Sequence, residues 1–400
     1  MALAAIPYGA YWCTPFARWQ GSLSHLHSLK FAAHVARDAL AARHIPLTAF
    51  DHGVLGLTVP QRHSFYGLPW LAGELGAPHV GGPTLMQACA TSARVLAHAA
   101  GEIAGGAAGC VLAITADRVS NGPHIYYPNP RGAGGTGETE DWVLGNFEHD
   151  PFARCQMITT AENCARKWNV STAEQHDVTL QRYTQYQMAL APLGDGTFQS
   201  RYMPLPLAVP DQGFRRTLTT LAGDEGVHPT TAEGLARLKP VLEGGTVTHG
   251  AQTHPADGNA GMVVTTAERA RELATDPGIR VTLVATAQAR TEVRMMPAAP
   301  IEAARRALDS AGIGIADLAA IKSHNPFAVN DIIFARETGA DVQAMNNYGC
   351  SLVWGHPQGP TGMRAIIELI EELALKGGGW GLFHGCAAGD TAMAVVLKVE

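Results

Sequence analysis

The chain has 400 residues, 46% of them hydrophobic, and a formal charge of −6. That apolar share is ample for a buried core, and the length allows one large unit or two to three domains. The weak acidic balance, without blocks of like charge, gives no footprint for nucleic acid, and the absence of a run of about 18 apolar residues argues against a membrane span.

The opening segment, MALAAIPYGAYWCTPFARWQ, has no basic head ahead of a long apolar run, so a cytoplasmic protein is expected. Seven cysteines, at 13, 89, 110, 155, 164, 350 and 386, form an odd set without a C-x-x-C pair, and reduced thiols are expected. His25 and His27, in SLSHLHSLK, lack a third ligand at suitable spacing; they read as a solvated helix start, and no metal site is expected.

Residues 36–45, ARDALAARHI, carry a helical period and lead into the strand-like run FDHGVLGLTV. The next segment, GGPTLMQACATSARVLAHAA, sets Cys89 at the predicted N-terminus of a helix. Free backbone N–H groups and the helix dipole favour a thiolate there, lowering a pKa that is otherwise about 8.5.

An insertion rich in Gly, Pro and aromatics at its start runs from 118 to 249, and its length suggests a lid. GAGGTG, at 132–137, meets the spacing G-x-G-x-x-G, but no apolar strand precedes it and acidic residues follow, so dinucleotide binding is not expected. TAENCARKWN reads as a helix, and a second helix follows with Ser171 as N-cap and Glu174 three residues on.

In SHNPFAVND, His324 and Asn325 end a predicted strand that Pro326 stops or turns; Asn325 suits a cap as well as chemistry. His356, in MNNYGCSLVWGHPQGPTGMR, sits at a predicted strand-to-helix turn framed by glycines and prolines. Cys386, in GWGLFHGCAAGDTAMAVVLKV, lies on a small-residue turn between two apolar runs that read as antiparallel strands.

The two ends of the chain share a pattern. ARDALAARHI and ARRALDSAGI match at Ala36/Ala304, Arg37/Arg305, Ala39/Ala307, Leu40/Leu308 and Ile45/Ile313, a constant offset of 268. That offset sets Cys89 within one position of His356, so two βαβ-type halves related by pseudo-symmetry would bring both helix starts to one site.

Taken together, these motifs resemble the thiolase family nearly from end to end. CTPFARWQGSLSHL is similar to R-T-P-F-G…G-S-L, with Cys13 at the arginine. The Cys89 segment is similar to C-x-S-G but reads Cys-Ala-Thr-Ser. MITTAENCARKWNVSTAEQ, LARLKPVLEGGTVTHGAQTHPADGNAG, GHPQGPTGMR and GCAAGDTAMA resemble the family's loop helix, its G-T-V-T-A-G-N segment, G-H-P-x-G-x-S-G-x-R and C-x-G-G-G-x-G-x-A. HNPF stands where N-E-A-F is usual, similar to the sterol-carrier-protein type of thiolase.

The resemblance implies an α/β thiolase fold: two pseudo-symmetric doubly wound βαβαβαββ halves, five layers αβαβα, with an inserted loop domain. The expected division is 1–117, the N-terminal half with Cys89; 118–249, an insertion binding coenzyme A and substrate; and 250–400, the half with His324, His356 and Cys386. It implies Cys89 as acylated nucleophile, His356 as its activator and Cys386 as general acid and base, with His324 at the usual asparagine position. Backbone N–H groups of Cys89 and Ala388 would serve one oxyanion. Ala388 replaces a glycine there, and a positive φ would strain it.

Met157, Thr253 and Phe327 match ligand-contact positions, whereas His228 and Gly234 stand where arginine and serine are frequent. The expected activity is cleavage of a 3-ketoacyl-CoA to acetyl-CoA or another acyl-CoA, with coenzyme A as co-substrate and no permanently bound cofactor. The lid aromatics Tyr126, Tyr127, Trp142, Phe147 and Phe152 point to a bulky or aromatic acyl group, and some aromatic-degrading relatives, such as the benzoylsuccinyl-CoA thiolases, work with a small zinc-finger/OB-fold partner subunit. A homodimer or dimer of dimers is implied. A ketoacyl-synthase-like condensing enzyme and a non-catalytic lipid-binding or scaffold member of the fold remain open at this stage.

Overall fold

The structure, a computed structural model, describes residues 3–400. The N-terminal half builds β1 (Ala4–Pro7), β2 (Tyr11–Cys13), β3 (Ala17–Arg18), α1 (Ser28–Ala42), β4 (His52–Gly56), α2 (Gly67–Leu75), β5 (Thr84–Leu85), α3 (Thr91–Ala104) and β6 (Cys110–Arg118). The insertion holds three hairpins and four helices: β7 (His124–Tyr127) with β8 (Glu138–Asp141), α4 (Leu144–Glu148), α5 (Met157–Lys167), α6 (Thr172–Leu190), β9 (Pro192–Leu193) with β10 (Gly196–Thr197), β11 (Leu207–Pro210) with β12 (Thr217–Leu221), and α7 (Ala232–Ala236). There follow β13 (Ala256–Thr265), α8 (Ala267–Leu273), β14 (Arg280–Arg290), α9 (Ala299–Ala311), β15 (Leu318–His324), α10 (Ala328–Thr338), α11 (Ser351–Trp354), α12 (Gly359–Leu375), β16 (Gly379–Ala387) and β17 (Thr391–Val399).

The strands join in the order β15-β16-β17-β14-β1-β13-β6-β4-β5, with β2 and β3 also on β13. Pairing is parallel at β15/β16 and at β6/β4/β5, and antiparallel toward the middle, where β1 links the halves through β14 and β13. One expected boundary moves. β13, placed with the C-terminal half by a start at 250, pairs with β6 from Asp257↔Arg118 to Thr265↔Cys110 and belongs to the N-terminal sheet. All ten of its residues are buried, so it needs partners at both edges.

Helices pack in layers: α1 and α2 outside the N-terminal sheet, α3 against α12 between the sheets, and α9 and α10 outside the C-terminal sheet. The core divides the same way, one cluster around α3 and α12 and one on each outer face. Because α12 is buried on every side over its first fifteen residues, its charged groups need internal partners. Arg364 pairs with Asp224 and Glu368 and lies over the rings of Phe16 and Trp354, 4.9 and 4.3 Å from their centroids.

The offset of 268 recurs in the helix starts: α3 begins at Thr91 and α12 at Gly359. It fails between α2 and α10, where the loops after β4 and β15 differ in length. Ser171 caps α6 as expected, accepting from the Glu174 amide at 3.2 Å, while the Glu174 carboxylate turns to Arg336. The insertion is docked by buried ion pairs, Arg182 with Asp331 at 2.9 Å and Asp224 with Arg364 at 2.6 Å. Most of it is therefore a fixed wall, and the stretch around β8 and α4 and the start of α5 border the cavity described below. Among the described residues no helix is long and apolar enough to cross a membrane.

Candidate functional site

Cys89 stands on a tight turn between β5 and α3. Ala88 takes φ +43, a left-handed conformation costing a residue with a Cβ roughly 1–2 kcal/mol. The Thr91 hydroxyl closes the turn, accepting from the Gln87 amide at 2.9 Å and donating to the Ala88 carbonyl at 2.7 Å. Helix α3 starts two residues beyond Cys89, so the thiol lies just ahead of the helix rather than on its first turn.

His356 sits between α11 and α12, not at the end of a strand as expected; its only strand-like pairing is a bridge to Pro255. Its amide donates to the His254 carbonyl at 2.8 Å. Gly355, at φ +94, permits this approach, since a Cβ there would come within 2.7 Å of His254 Cε1. His356 Nε2 lies 3.1 Å from Cys89 Sγ, and Nδ1 lies 2.6 Å from Thr361 Oγ1. The tautomer in which Nδ1–H donates to Thr361 leaves Nε2 free to accept the thiol proton.

Two latches fix this pair across the pseudo-twofold. The Ser92 hydroxyl donates to the Gly359 carbonyl. The Gly359 amide donates to Asp117 Oδ2 at 2.9 Å, and Asp117 also accepts from the amides of Thr58 and Val59 and the Thr58 hydroxyl. Burial pushes the Asp117 carboxyl up to about 7 against those four donors.

His324 stacks on His356 with ring centroids 4.1 Å apart and planes 27° apart. Its Nδ1 lies 2.9 Å from Ser351 Oγ, whose proton goes to Asn325 Oδ1 at 3.1 Å. Ser351 is therefore an acceptor toward His324, which puts the ring proton on Nδ1 and the lone pair on Nε2. That Nε2 is buried without a partner. Asn325 serves the fold: it donates to Asp331 and accepts from Ser351 and Leu352.

Electrostatics overturn one expectation. Burial pushes the Cys89 thiol up to about 12, outweighing the lowering by the backbone N–H groups of Ala388 and Cys89. Burial also takes His324 down to about 3 and His356 well below its ordinary value. The resting pair is thus a neutral thiol facing a neutral imidazole, and ionisation must be coupled to the attack it serves.

Cys386 is fully buried inside β16, one residue before its end and not on the turn expected to hold it, opposite Ala392 on the antiparallel neighbour β17. Asn330 Nδ2 donates to its Sγ at 3.3 Å, and burial, then the Cys89 thiol, push its pKa well up. The Ala388 amide points at Cys89, and no strain arises at Ala388, because the positive φ values fall on Gly389 and Asp390.

Above this floor is a cavity of about 830 Å³. Cys89, His356 and Ala388 reach it, as do Met157, Thr253 and Phe327; His324 and Cys386, both fully buried, are not among its lining residues. Of the five expected lid aromatics, Trp142 and Phe147 line it, with Met86, Ile158 and Met296. Tyr126, Tyr127 and Phe152 instead face solvent, at 57%, 48% and 69% exposure. Glu140 and Glu148 are the charged lining residues, and no lysine or arginine joins them among the described residues.

Sequence reasoning missed Thr361, Ser351, Asn330 and Asp117. Asp117 left a readable trace, a lone acid near the end of the apolar strand CVLAITADR.

Comparison with known proteins agrees with this architecture. The family model described as thiolase, N-terminal domain, matches residues 10–268, and that described as thiolase, C-terminal domain, matches residues 278–399. The chain is 28% identical over 391 residues to the beta-ketothiolase BktB of Cupriavidus necator, covering 96% of both. It is 30% identical over 323 residues to an acetyl-CoA acetyltransferase of Chromobacterium violaceum, covering 79% of both. The fold superposes on human mitochondrial 3-ketoacyl-CoA thiolase with a TM-score of 0.89 at 24% identity over the whole of both chains.

Proposed function

Because the chain belongs to the thiolase family, we propose that it is an acyltransferase that cleaves a 3-ketoacyl-CoA with coenzyme A, carrying the acyl group on Cys89. The observation that supports this most is the 3.1 Å contact of Cys89 Sγ with His356 Nε2 on the floor of the cavity.

Cys89 attacks the keto carbonyl as its proton passes to His356, so the sulfur gains charge only as the new bond forms. The Cα–Cβ bond breaks, leaving an acyl-Cys89 thioester and the enolate of acetyl-CoA. Cys386, held as a thiol by burial, protonates that enolate; its thiolate, facing the Asn330 amide, then takes the proton of the incoming CoA thiol. CoA attacks the acyl-Cys89, and the thiol returns. Coenzyme A is a co-substrate, and the chemistry needs no resident cofactor.

The N–H groups of Cys89 and Ala388 face one oxyanion. His324, with its Nε2 lone pair free, acts through a water that donates one proton to that nitrogen and the other to the second oxyanion. Each lost oxyanion donor is worth roughly 100- to 1,000-fold. In this assignment HNPF makes the chain a sterol-carrier-protein-type variant. Cleavage is favoured over condensation because such retro-Claisen steps run downhill.

Trp142, Phe147, Met86 and Met296 give the cavity an apolar wall that suits a bulky or aromatic acyl group. Met157, Thr253 and Phe327 line the path for the pantetheine arm. The reading includes a homodimer or dimer of dimers in the cytoplasm, and the exposed Tyr126, Tyr127 and Phe152 offer a face for a small partner subunit. The Cys-His-His set also suits a decarboxylating condensing enzyme, and Cys386 discriminates between them. A panel of 3-ketoacyl-CoAs assayed for CoA-dependent cleavage tests the assignment; release of CO₂ from malonyl-CoA in place of cleavage would overturn it.

A further inference from the structure

The floor of the cavity also gathers a set of metal-ligating atoms. Cys89 Sγ and one ring nitrogen each of His324 and His356 lie within 4.8 Å of one another. We propose that these three side chains bind a soft divalent cation, with Zn²⁺ as the representative, and that loading the site silences the Cys89 thiol. The expectation of no metal site rested on local spacing, whereas these ligands come from three separate segments.

The outer partners of both rings suit a metal site. Metal-bound imidazoles usually carry the ring proton on the nitrogen away from the metal, held by an outer hydrogen bond. Both rings meet this condition: Thr361 Oγ1 accepts from Nδ1 of His356 and Ser351 Oγ from Nδ1 of His324. Both Nε2 lone pairs are thereby available; the rings stack with planes 27° apart, so the His324 ring must tilt for its lone pair to converge with that of His356 on one cation.

His324 Nε2 is a second pointer, because it is fully buried and has no partner among the protein groups, and a cation there would displace the water proposed above. A buried ring nitrogen left unpaired costs about 1–3 kcal/mol, which a bound cation would offset. In thiolases with asparagine at this position only one cysteine and one histidine would remain.

The distances allow it. Zn–S of about 2.3 Å and Zn–N of about 2.0–2.1 Å in a tetrahedral site place neighbouring ligand atoms roughly 3.5 Å apart. The Cys89–His356 pair, at 3.1 Å, needs to open slightly, and His324 needs to close by an ångström or so. Cys89 and His356 line the cavity, so a cation has an entry path, and the fourth position faces the cavity for water or a ligand thiol.

Binding forms a metal–sulfur bond and releases the thiol proton to solvent, with no change of oxidation state, so it weakens as pH falls. A thiolate so held cannot attack a carbonyl. Micromolar or tighter Zn²⁺ would thus act as a reversible off-switch on the acyl-transfer site.

The test uses metal-stripped full-length protein titrated with Zn²⁺ against a fluorescent chelator, and with Co²⁺ for the thiolate-to-cobalt charge-transfer band. We expect one tight equivalent per chain. Cys89→Ser and His324→Asn should each weaken it by more than about 100-fold, beyond the 10- to 100-fold typical of losing an outer partner, and Ser351→Ala by about 10-fold. Unchanged circular dichroism and melting temperature establish that each variant is folded. Tight binding that survives both Cys89→Ser and His324→Asn, or no tight equivalent in the parent protein, would overturn the proposal. The binding arm needs no catalysis, so its outcome stands whether or not the acyl-transfer assignment holds.

Discussion

Replacing Thr361 by valine removes the acceptor that holds the His356 ring while keeping the side-chain shape. In the resting enzyme the 2.6 Å contact joins two neutral groups, a bond worth about 1 kcal/mol net. During acylation His356 takes the Cys89 proton, and a bond to a charged group is worth about 1.5–3 kcal/mol. The difference, roughly 0.5–2 kcal/mol, is transition-state stabilisation that the valine variant loses, or about 2- to 30-fold in the acylation rate. The assay is rapid-quench single turnover with acetyl-CoA, reading acyl-Cys89 by intact mass. Thr361→Ser, which restores an acceptor, should recover most of the rate. An unchanged acylation rate in the valine variant would refute the role of the Thr361 contact.

Further predictions test the frame that holds the site. Arg364→Met should destabilise the protein by about 3–5 kcal/mol in urea, because Asp224 and Glu368 lose their shared buried partner; little change would mean that the pairs add nothing. Asp257 has its carboxyl raised from 3.8 to about 6, chiefly by burial. The native state therefore binds more protons than the unfolded chain between about pH 4 and 6, and stability falls as pH rises through that window. Asp257→Asn should remove this carboxyl's share of that fall, gaining about 3 kcal/mol on the parent protein between pH 4 and 7, while Asp117, raised in the same direction, keeps its own share. Parallel pH profiles for the two proteins would contradict it.

The helix starts, the Cys89 turn and the repeat at 268 were legible because each rests on local periodicity or small-residue turns. Cys89 and His356 could be set together from that offset, and the structure brings them to 3.1 Å. The sign of the Cys89 shift was not legible. A helix start is visible in sequence, but the burial that outweighs it is set by tertiary packing, and the Asp117 charge adds to it. The partners of the two histidine rings were hidden for a related reason, since Thr361 and Ser351 lie on turns whose geometry tertiary packing sets. The lid aromatics were grouped by composition, and only Trp142 and Phe147 turn inward, because β7 and β8 form an exposed hairpin. The strand β13 was misassigned because its partner β6 lies across the whole insertion.

The most direct test of the acyl-transfer account is intact mass spectrometry of Cys386→Ala and Cys89→Ala proteins mixed with acetyl-CoA or a 3-ketoacyl-CoA. The account predicts that Cys386→Ala accumulates a stable acyl adduct on Cys89 while turnover is lost, and that Cys89→Ala forms no adduct. Normal turnover by Cys386→Ala, or an adduct that persists without Cys89, would contradict it.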